Sequence, residues 1–146
     1  MTPKGYAAYS SVAVNTMQNK EKILLMVYEG VIKYLELAQE GIRQQNPRMK
    51  GEAISKALAI ITELDCALDS KVGGDLTQNL HVLYHWAMAS ITEANLKNDD
   101  AALAAVRKVL ITISEGFEGA ARHNHNPAPA LHTNARPAPR PLNVAV

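Results

Sequence analysis

The stretch ILLMVYEGVIKYLELAQEGI, residues 23–42, decides the fold, because its apolar residues recur at the spacing of one helix face. These residues are Leu24, Tyr28, Val31, Leu35, Ala38 and Ile42. Three later segments repeat the pattern, namely Ile54, Ala57, Ile61, Leu64 and Leu68; Leu76, Leu80, Leu83, Ala87 and Ala94; and Leu103, Val106, Leu110, Ile113 and Phe117. No strand-like alternation competes with these segments, so the sequence predicts an all-α protein with four amphipathic helices.

Short breaks separate the four helical segments. Asn19 can cap the first helix, and Asn46–Pro47 ends it, because the residue before a proline disfavours the helical conformation. Gly73–Gly74 can supply the left-handed residue that closes the second helix, and Asn98–Asp100 separates the third helix from the fourth. Connections this short make consecutive helices run antiparallel. We therefore expect an antiparallel up-and-down four-helix bundle.

Composition divides the chain into three parts. Residues 1–18 carry aromatic and branched apolar side chains without a sustained helical period, which is typical of a segment that docks on a folded body. Residues 19–121 contain the four helical segments and are expected to form the bundle. Residues 122–146 contain five of the seven prolines, three arginines and no acidic residue. This basic, Pro/Ala-rich composition predicts a disordered tail.

The charge balance and the single cysteine restrict the class of protein. Lys and Arg number 15 against 14 Asp and Glu, so the net charge of +1 gives no reason to expect a nucleic-acid partner. Cys66 has no second cysteine with which to form an intrachain disulfide, which suits a reducing compartment. The longest apolar run, residues 23–28, is far shorter than a membrane span, and the N-terminus lacks an apolar signal core. We expect a soluble cytoplasmic protein that does not insert into a membrane.

Catalytic motifs are absent from the sequence. It has no glycine-rich phosphate loop, nucleophile elbow or paired-carboxylate motif, and no sequence-local base activates Cys66. His81 and His85 stand four residues apart, so both rings could reach one metal ion, but two ligands alone do not make a site. The other three histidines lie in the tail, where a flexible site loses ordering entropy. We expect no enzyme, cofactor or metal, and a metal-binding bundle built on His81 and His85 is the alternative.

Apolar residues also occur beside the core stripes of the middle two helices. They are Ala53, Ala57, Ile60, Leu64 and Ala67 on the second helix, and Val82, Trp86 and Met88 on the third. These arcs are wider than one seam between helices. They either line a groove that receives an apolar partner or reflect the greater burial of helices at the centre of a bundle. The pattern alone leaves both interpretations open.

Several strings of the body occur together in one known family. They are Tyr6 and Tyr9, EKILLMVYEG at 21–30, KGEAI at 50–54, GGDL at 73–76, Asn79-Leu80 with Leu83-Tyr84, and Ala94-Asn95-Leu96. In this order and spacing, which span Tyr6 to Phe117, they resemble the flagellin-specific flagellar export chaperones, the FliS family. The chain departs from the family's Thr-Ala-Ser-Pro at Met17–Lys20, and Phe117 stands where the family commonly has tryptophan.

The resemblance implies a cytosolic chaperone that binds the disordered C-terminal segment of flagellin, prevents premature polymerisation and hands the subunit to the flagellar type III export apparatus. It also implies that Tyr6 and Tyr9 contact the client and an export gate component, and that Tyr28 belongs to a first-helix motif. Together with the apolar positions above, the predicted flagellin-binding groove and lid comprise Tyr6, Tyr9, Val12, Tyr28, Ile60, Leu64, Asn79, Leu80, Val82, Leu83, Tyr84 and Trp86.

The segment before the bundle has a predicted role of its own. Because its apolar side chains lie outside the helical pattern, residues 1–14 are expected to act as a competing lid over the groove. The sequence leaves open whether a co-chaperone binds and whether the protein forms a homodimer. A general homodimeric helical adaptor, which would use the apolar stripe between its own copies, is therefore a third interpretation.

Overall fold

The computed structural model describes the backbone of residues 2–125 and the side chains of residues 19–69, 73–120 and 122. Within residues 2–125 it contains four α-helices and no strand: α1 Thr2–Arg43, α2 Pro47–Cys66, α3 Ser70–Lys97 and α4 Asp100–His125. The predicted all-α four-helix bundle is confirmed. Of the disordered tail expected at 122–146, residues 122–125 continue α4, and 126–146 lie outside the described residues. None of the helices, over the part of the chain described, is both long and apolar enough to cross a membrane.

The chain divides into two compact units after Ser114. The first unit, residues 1–114, contains α1, α2, α3 and the beginning of α4, and the packing described below belongs to it. In the second unit α4 continues to His125, and Nη1 of Arg122 lies 3.6 Å from Oε2 of Glu118, one turn earlier in the helix.

The core of the first unit is built from the predicted apolar stripes. Its buried members are Tyr28, Val31, Leu35 and Ala38 of α1; Ala53, Ile54, Ala57, Ile61 and Leu64 of α2; Leu80, Tyr84, Ala87, Ile91 and Ala94 of α3; and Leu103, Val106 and Leu110 of α4. The register of α3 differs from the prediction, because Leu76 is exposed while Tyr84 and Ile91 are buried. The buried residues of α3 are spaced alternately four and three positions apart, at 80, 84, 87, 91 and 94. This spacing matches one helix face better than the predicted positions do.

The turn between α1 and α2 confirms the break predicted at Asn46–Pro47. Asn46 caps α2, since its side-chain oxygen accepts a 3.1 Å hydrogen bond from the Met49 backbone N–H, and Pro47 occupies the first helical position, where no N–H is needed. Gly41 allows the two helices to approach closely. A Cβ atom at this glycine would lie 2.7 Å from the backbone nitrogen of Lys50, which is closer than real Cβ contacts.

The first helix begins earlier than predicted. Asn19 was expected to be its N-cap, but α1 is continuous from Thr2 to Arg43, so Asn19 lies inside the helix. Pro3 falls in the first turn, where a missing N–H is tolerated, and no other proline interrupts the segment. A capping residue is only a local preference, and an asparagine inside a helix costs little compared with ending the helix.

The junction of α2 and α3 also differs from the prediction. Helix α2 ends at Cys66, before the glycine pair, and α3 begins at Ser70. Gly74 has φ 54° and ψ −128°, a conformation that only glycine adopts readily, and it kinks α3 instead of closing α2. The sequence therefore predicted a break at the glycine pair, where Gly74 interrupts the helix with a positive φ, but α2 itself ends earlier, at Cys66.

At the opposite end of α3 the predicted break at Asn98–Asp100 is confirmed. Asn98 has φ 53°, and Oδ1 of Asp99 accepts a 3.0 Å hydrogen bond from the Ala102 N–H as the cap of α4. The ammonium group of Lys50 donates hydrogen bonds to the carbonyl oxygen of Asn95 at 3.0 Å and to Oδ1 of Asn98 at 2.6 Å. Because Lys50 lies at the start of α2 and Asn98 follows the end of α3, these bonds fix the two helices antiparallel.

A polar network joins α1 to α4. Gln39 is only 6% exposed, and its amide donates to Oδ1 of Asp100 at 2.7 Å while its oxygen accepts from Nε of Arg107 at 3.1 Å. The Arg107 guanidinium also donates to Glu36 at 3.1 Å. A buried amide with a partner on each side is stabilised, because neither its donor nor its acceptor loses hydrogen bonding on burial.

Candidate binding groove

An apolar groove lies on the surface between α1 and α2. It has a volume of about 490 Å³ and is lined by Ile23, Met26, Val27 and Gly30 of α1 and by Ala59, Ile60 and Glu63 of α2. Ile23 is 56% exposed and Met26 is 62% exposed, although both are large apolar side chains. Exposed apolar surface of this kind, gathered in a concave site, is typical of a surface that binds an apolar partner.

The spacing of the α1 residues explains the groove. Positions 23, 26, 27 and 30 form a second apolar stripe beside the core stripe that contains Tyr28, so α1 is apolar over more than the face it buries. Gly30 adds no side chain to the lining, and a Cβ added there would meet Cδ1 of Ile60 in ordinary van der Waals contact, at 4.0 Å.

A second pocket continues along the same two helices and is more polar. Its lining consists of Tyr34 and Leu37 of α1, Asn46 of the turn, and Arg48, Met49, Glu52, Ala53 and Lys56 of α2. The Lys56 ammonium lies 5.5 Å from the centroid of the Tyr34 ring, within the range of a cation–π contact. Ile23 and Leu37 are separated by 14 residues of helix, which corresponds to about 21 Å. The groove and this pocket together could accommodate several turns of a helix.

Four of the predicted groove residues belong to the core instead. Tyr28 is 0% exposed, Leu64 is 8%, Leu80 is 7% and Tyr84 is 2%, so none of them lines an exposed groove in the free chain. Each of these side chains lies on the face of its helix that points to the core of the first unit, and a role in client binding stays a prediction for all four.

Tyr28 and Tyr84 meet inside the core. Their hydroxyl groups are hydrogen-bonded to each other, and their rings are tilted by 51° at a centroid distance of 6.5 Å. Burial raises the pKa of the Tyr28 hydroxyl, and the hydrogen bond to Tyr84 adds to that effect. Burial also raises the pKa of Tyr84, where the Asp65 charge acts in the same direction against the lowering effect of the bond to Tyr28. Both hydroxyls therefore stay neutral far above physiological pH.

The remaining predicted residues are divided between three places. Ile60 lines the α1–α2 groove, as expected of a groove residue. Asn79, Val82 and Trp86 are exposed on α3, while Leu83 is half-buried there. Val82 and Trp86, 58% and 41% exposed, are outside the lining of the α1–α2 groove and form a separate patch on α3.

The predicted lid residues cannot be placed at the level of side chains. Tyr6, Tyr9 and Val12 lie outside the residues whose side chains are described. Their backbone belongs to α1, which is continuous through this segment.

Sequence reasoning missed the α1 half of the groove. Ile23, Met26 and Gly30 were not among the predicted site residues, although Ile23 and Met26 belong to an uninterrupted run of six apolar residues. The signal that could have found them is the width of that run, because six consecutive apolar residues cannot all face the same core.

One group of side chains has the composition of a metal site. Asp65 of α2 lies between His81 and His85 of α3, and the three potential ligand atoms are within 4.8 Å of one another. The sequence suggested the histidine pair only as the alternative to a protein without metal, and it did not suggest Asp65, whose partners are 16 and 20 residues further along the chain.

Comparison with known proteins assigns the chain to a family. The family model described as "Flagellar protein FliS" matches residues 2–124. The Vibrio cholerae protein named "Flagellar secretion chaperone FliS" is 34% identical over 122 residues, which cover 82% of this chain and 90% of that protein. The Pseudomonas aeruginosa "Flagellar secretion chaperone FliSB" is 33% identical over 80% of this chain and 92% of its own length. The Bacillus subtilis "Flagellar secretion chaperone FliS" is 30% identical over 79% of this chain and 84% of its own length. With a family model that matches nearly all of the four helices and relatives that align over most of their length, the chain belongs to the FliS family.

Proposed function

We propose that this protein is a cytoplasmic flagellar export chaperone that binds the disordered C-terminal segment of flagellin in the α1–α2 groove. The observation that carries the proposal is the exposed apolar lining of that groove, with Ile23 and Met26 more than half exposed in the free chain. The relatives named as flagellar secretion chaperones support the same role. It is a binding function and needs no catalytic residue.

The chemistry of such a client fits the groove. A flagellin terminal segment has to bury an apolar helical face when it enters the filament, so before assembly it exposes surface that promotes premature contacts. An amphipathic helix in a groove would place apolar side chains against Ile23, Met26 and Ile60. Because the client is disordered when free, its ordering entropy lowers the affinity per unit area and leaves the complex able to release.

The apolar groove and the polar pocket that follows it differ in charge, and this difference favours one orientation of the client. The end lined by Ile23 and Met26 is almost entirely apolar, while the other end presents Arg48, Glu52 and Lys56. A bound segment would therefore bury its apolar residues at the first end and direct its charged residues to the second. The patch of Val82 and Trp86 on α3 can receive a further part of the client that continues beyond the groove.

The N-terminal segment, with Tyr6, Tyr9 and Val12, is proposed to compete with the client as a lid and to contact the export gate component. Since α1 is continuous from Thr2, a lid requires the helix to break before the groove. Deleting residues 1–14 should raise the affinity for the client if the segment is a lid. An unchanged or lower affinity would contradict that role.

Calorimetry of the full chain with the C-terminal segment of flagellin from the same organism tests the proposal. We expect binding with a negative heat-capacity change, because apolar surface is buried. Met26→Glu should weaken binding by about tenfold or more, which corresponds to about 1.4 kcal/mol, since it places a charge in the apolar end of the groove.

Leu96→Glu is the matched control, because Leu96 is an equally apolar side chain, 84% exposed, that lies outside the groove lining. It should leave the affinity unchanged. Equal losses in both variants, or no binding by the unmodified chain, would contradict the proposed groove. A dimer that persists in light scattering when flagellin segment is added in excess would favour the homodimeric adaptor.

A further inference from the structure

The carboxylate of Asp65 joins two histidines of the neighbouring helix. Its Oδ1 lies 2.7 Å from Nδ1 of His81, and its Oδ2 lies 3.1 Å from Nε2 of His85. The two imidazole rings are 4.3 Å apart between centroids, at an angle of 60°. Because His81 and His85 are one helical turn apart on α3, both reach the same point on α2.

These three side chains offer the donor atoms that a transition-metal site requires. Two imidazole nitrogens and one carboxylate oxygen are ligands that Zn²⁺ and similar ions prefer, whereas Ca²⁺ and Mg²⁺ prefer oxygen alone. In a tetrahedral Zn²⁺ site with bonds of about 2.0–2.1 Å, neighbouring ligand atoms are about 3.3 Å apart. Nδ1 of His81 lies 2.7 Å from one oxygen of Asp65 and Nε2 of His85 lies 3.1 Å from the other, and one ligand atom from each residue falls within 4.8 Å of the other two. Side-chain rotation would have to bring these three atoms to the spacing of about 3.3 Å.

The burial of the three residues also suits an ion that enters from solvent. The Asp65 side chain is only 15% exposed and is therefore held in place, while His81 and His85 are 48% and 57% exposed. An ion could reach the site without opening the core. Three protein ligands leave a fourth position for water, so the site would be of the open type.

We propose that Asp65, His81 and His85 bind a divalent transition-metal ion, with Zn²⁺ as the natural ligand, and that the ion joins the last turn of α2 to α3. This inference is independent of flagellin binding. In the metal-bound site, Nδ1 of His81 and Nε2 of His85 would each offer a lone pair to the ion. Each neutral ring would then carry its proton on the nitrogen that faces away from the ion.

The position of the site gives the ion a structural effect. Val82 and Trp86 directly follow His81 and His85 in the sequence and form the exposed patch on α3. A bound ion would therefore fix this part of α3 against α2. A ligand that binds only the folded chain also stabilises it by mass action, so the unfolding temperature should rise with the concentration of Zn²⁺.

The experiment uses the untagged full chain after treatment with a chelator. Zn²⁺ is titrated by calorimetry, and Co²⁺ is followed by its visible absorption, which reports the coordination geometry. The single tryptophan, Trp86, provides a fluorescence signal next to the site. We expect the calorimetry to give one ion per chain and the Co²⁺ absorption to be typical of nitrogen and oxygen ligands. The unfolding temperature should rise when Zn²⁺ is added.

Variants of the cluster separate this site from the three histidines nearer the C-terminus, of which His123 and His125 belong to α4. His81→Gln and Asp65→Asn should each weaken Zn²⁺ binding by about tenfold or more and remove the rise in unfolding temperature. The control replaces His123, His125 and His132 by glutamine and should bind like the unmodified chain. Circular dichroism without metal checks that every variant is folded.

Three outcomes would overturn the site. The first is that the unmodified chain does not bind Zn²⁺, and the second is that both cluster variants keep its affinity for Zn²⁺. The third is that the control variant without His123, His125 and His132 loses Zn²⁺ binding. A cluster variant that is unfolded without metal would be replaced by His85→Gln, whose side chain is the most exposed of the three.

Discussion

Helix α1 meets α4 through a closed polar seam, and it meets α2 beside an open apolar groove. On the α4 side, Gln39 is buried and hydrogen-bonded to Asp100 and Arg107. On the α2 side, the large apolar side chains of Ile23 and Met26 remain exposed to solvent. The seam satisfies its own polar groups, whereas the groove leaves apolar surface without a partner in the described chain.

The difference indicates which region stabilises the free chain and which region can bind a partner. A buried polar network resists opening, because each broken bond leaves an unpaired group away from water. An exposed apolar groove contributes little to the stability of the free chain and gains free energy only when a partner covers it. Substitutions in the two regions should therefore move different measured quantities.

The largest effect is expected in the core that both regions share. Leu80→Ala should lower the free energy of unfolding by about 2–5 kcal/mol, because Leu80 is 7% exposed and its removal leaves a cavity. Met26→Ala, in the groove, should change it by less than about 0.5 kcal/mol. Urea unfolding of the two variants measures both values. Similar losses at the two positions would show that the groove belongs to the core.

The polar seam should give a smaller loss. Gln39→Ala removes the amide between Asp100 and Arg107, so we expect a decrease of about 1–3 kcal/mol in the free energy of unfolding. Lys97→Ala breaks a pair with Glu93 whose side chains are 63% and 65% exposed, and it should cost less than about 1 kcal/mol. If Gln39→Ala were as mild as this control, the seam would not be a stabilising network.

The smallest effect concerns the Tyr28–Tyr84 pair and appears only at high pH. Burial raises the pKa of both hydroxyls in the folded chain, while the unfolded chain ionises near pH 10. The stabilisation is therefore complete below about pH 10 and is lost as the pH rises further. Tyr28, whose pKa is raised far above that of a free tyrosine, should contribute a loss of about 1 kcal/mol for the first pH unit above that value, and Tyr84 should add to the loss.

Urea midpoints at about pH 8 and about pH 11 test this pH dependence. The control is the double variant Tyr28→Phe with Tyr84→Phe, which removes both titrating groups and should show a smaller decrease. A decrease of the same size in the double variant would assign the alkaline loss to other residues. Tyr28→Phe alone should be less stable than the double variant, because it leaves the Tyr84 hydroxyl without this partner.

Much of the fold could be predicted from local patterns. The spacing of apolar residues located four helices and most of the core, because that spacing depends on helix geometry alone. The start of α1 could not be predicted in the same way. Asn19 is a residue type that often caps helices. Whether the helix also includes the residues before Asn19 depends on those residues and not on the cap itself.

The candidate site was less predictable than the fold. The family resemblance identified positions such as Tyr28 and Tyr84, but a motif does not give the direction of a side chain, and both are buried. The α1 lining was missed because Ile23 and Met26 resemble core residues in sequence. Asp65 was missed because its contacts with His81 and His85 depend on the packing of two helices.

The short turns of this protein also bear on the order in which it folds. Each helix is followed by its neighbour after only two or three residues, at 44–46, 67–69 and 98–99. Contacts between such neighbours close small loops and form quickly. The bond between Gln39 and Asp100 instead joins residues 61 positions apart, so it closes a much longer loop. The α1–α4 seam is thus the natural last step of folding, and a newly made chain would present its α1–α2 groove before the bundle is complete.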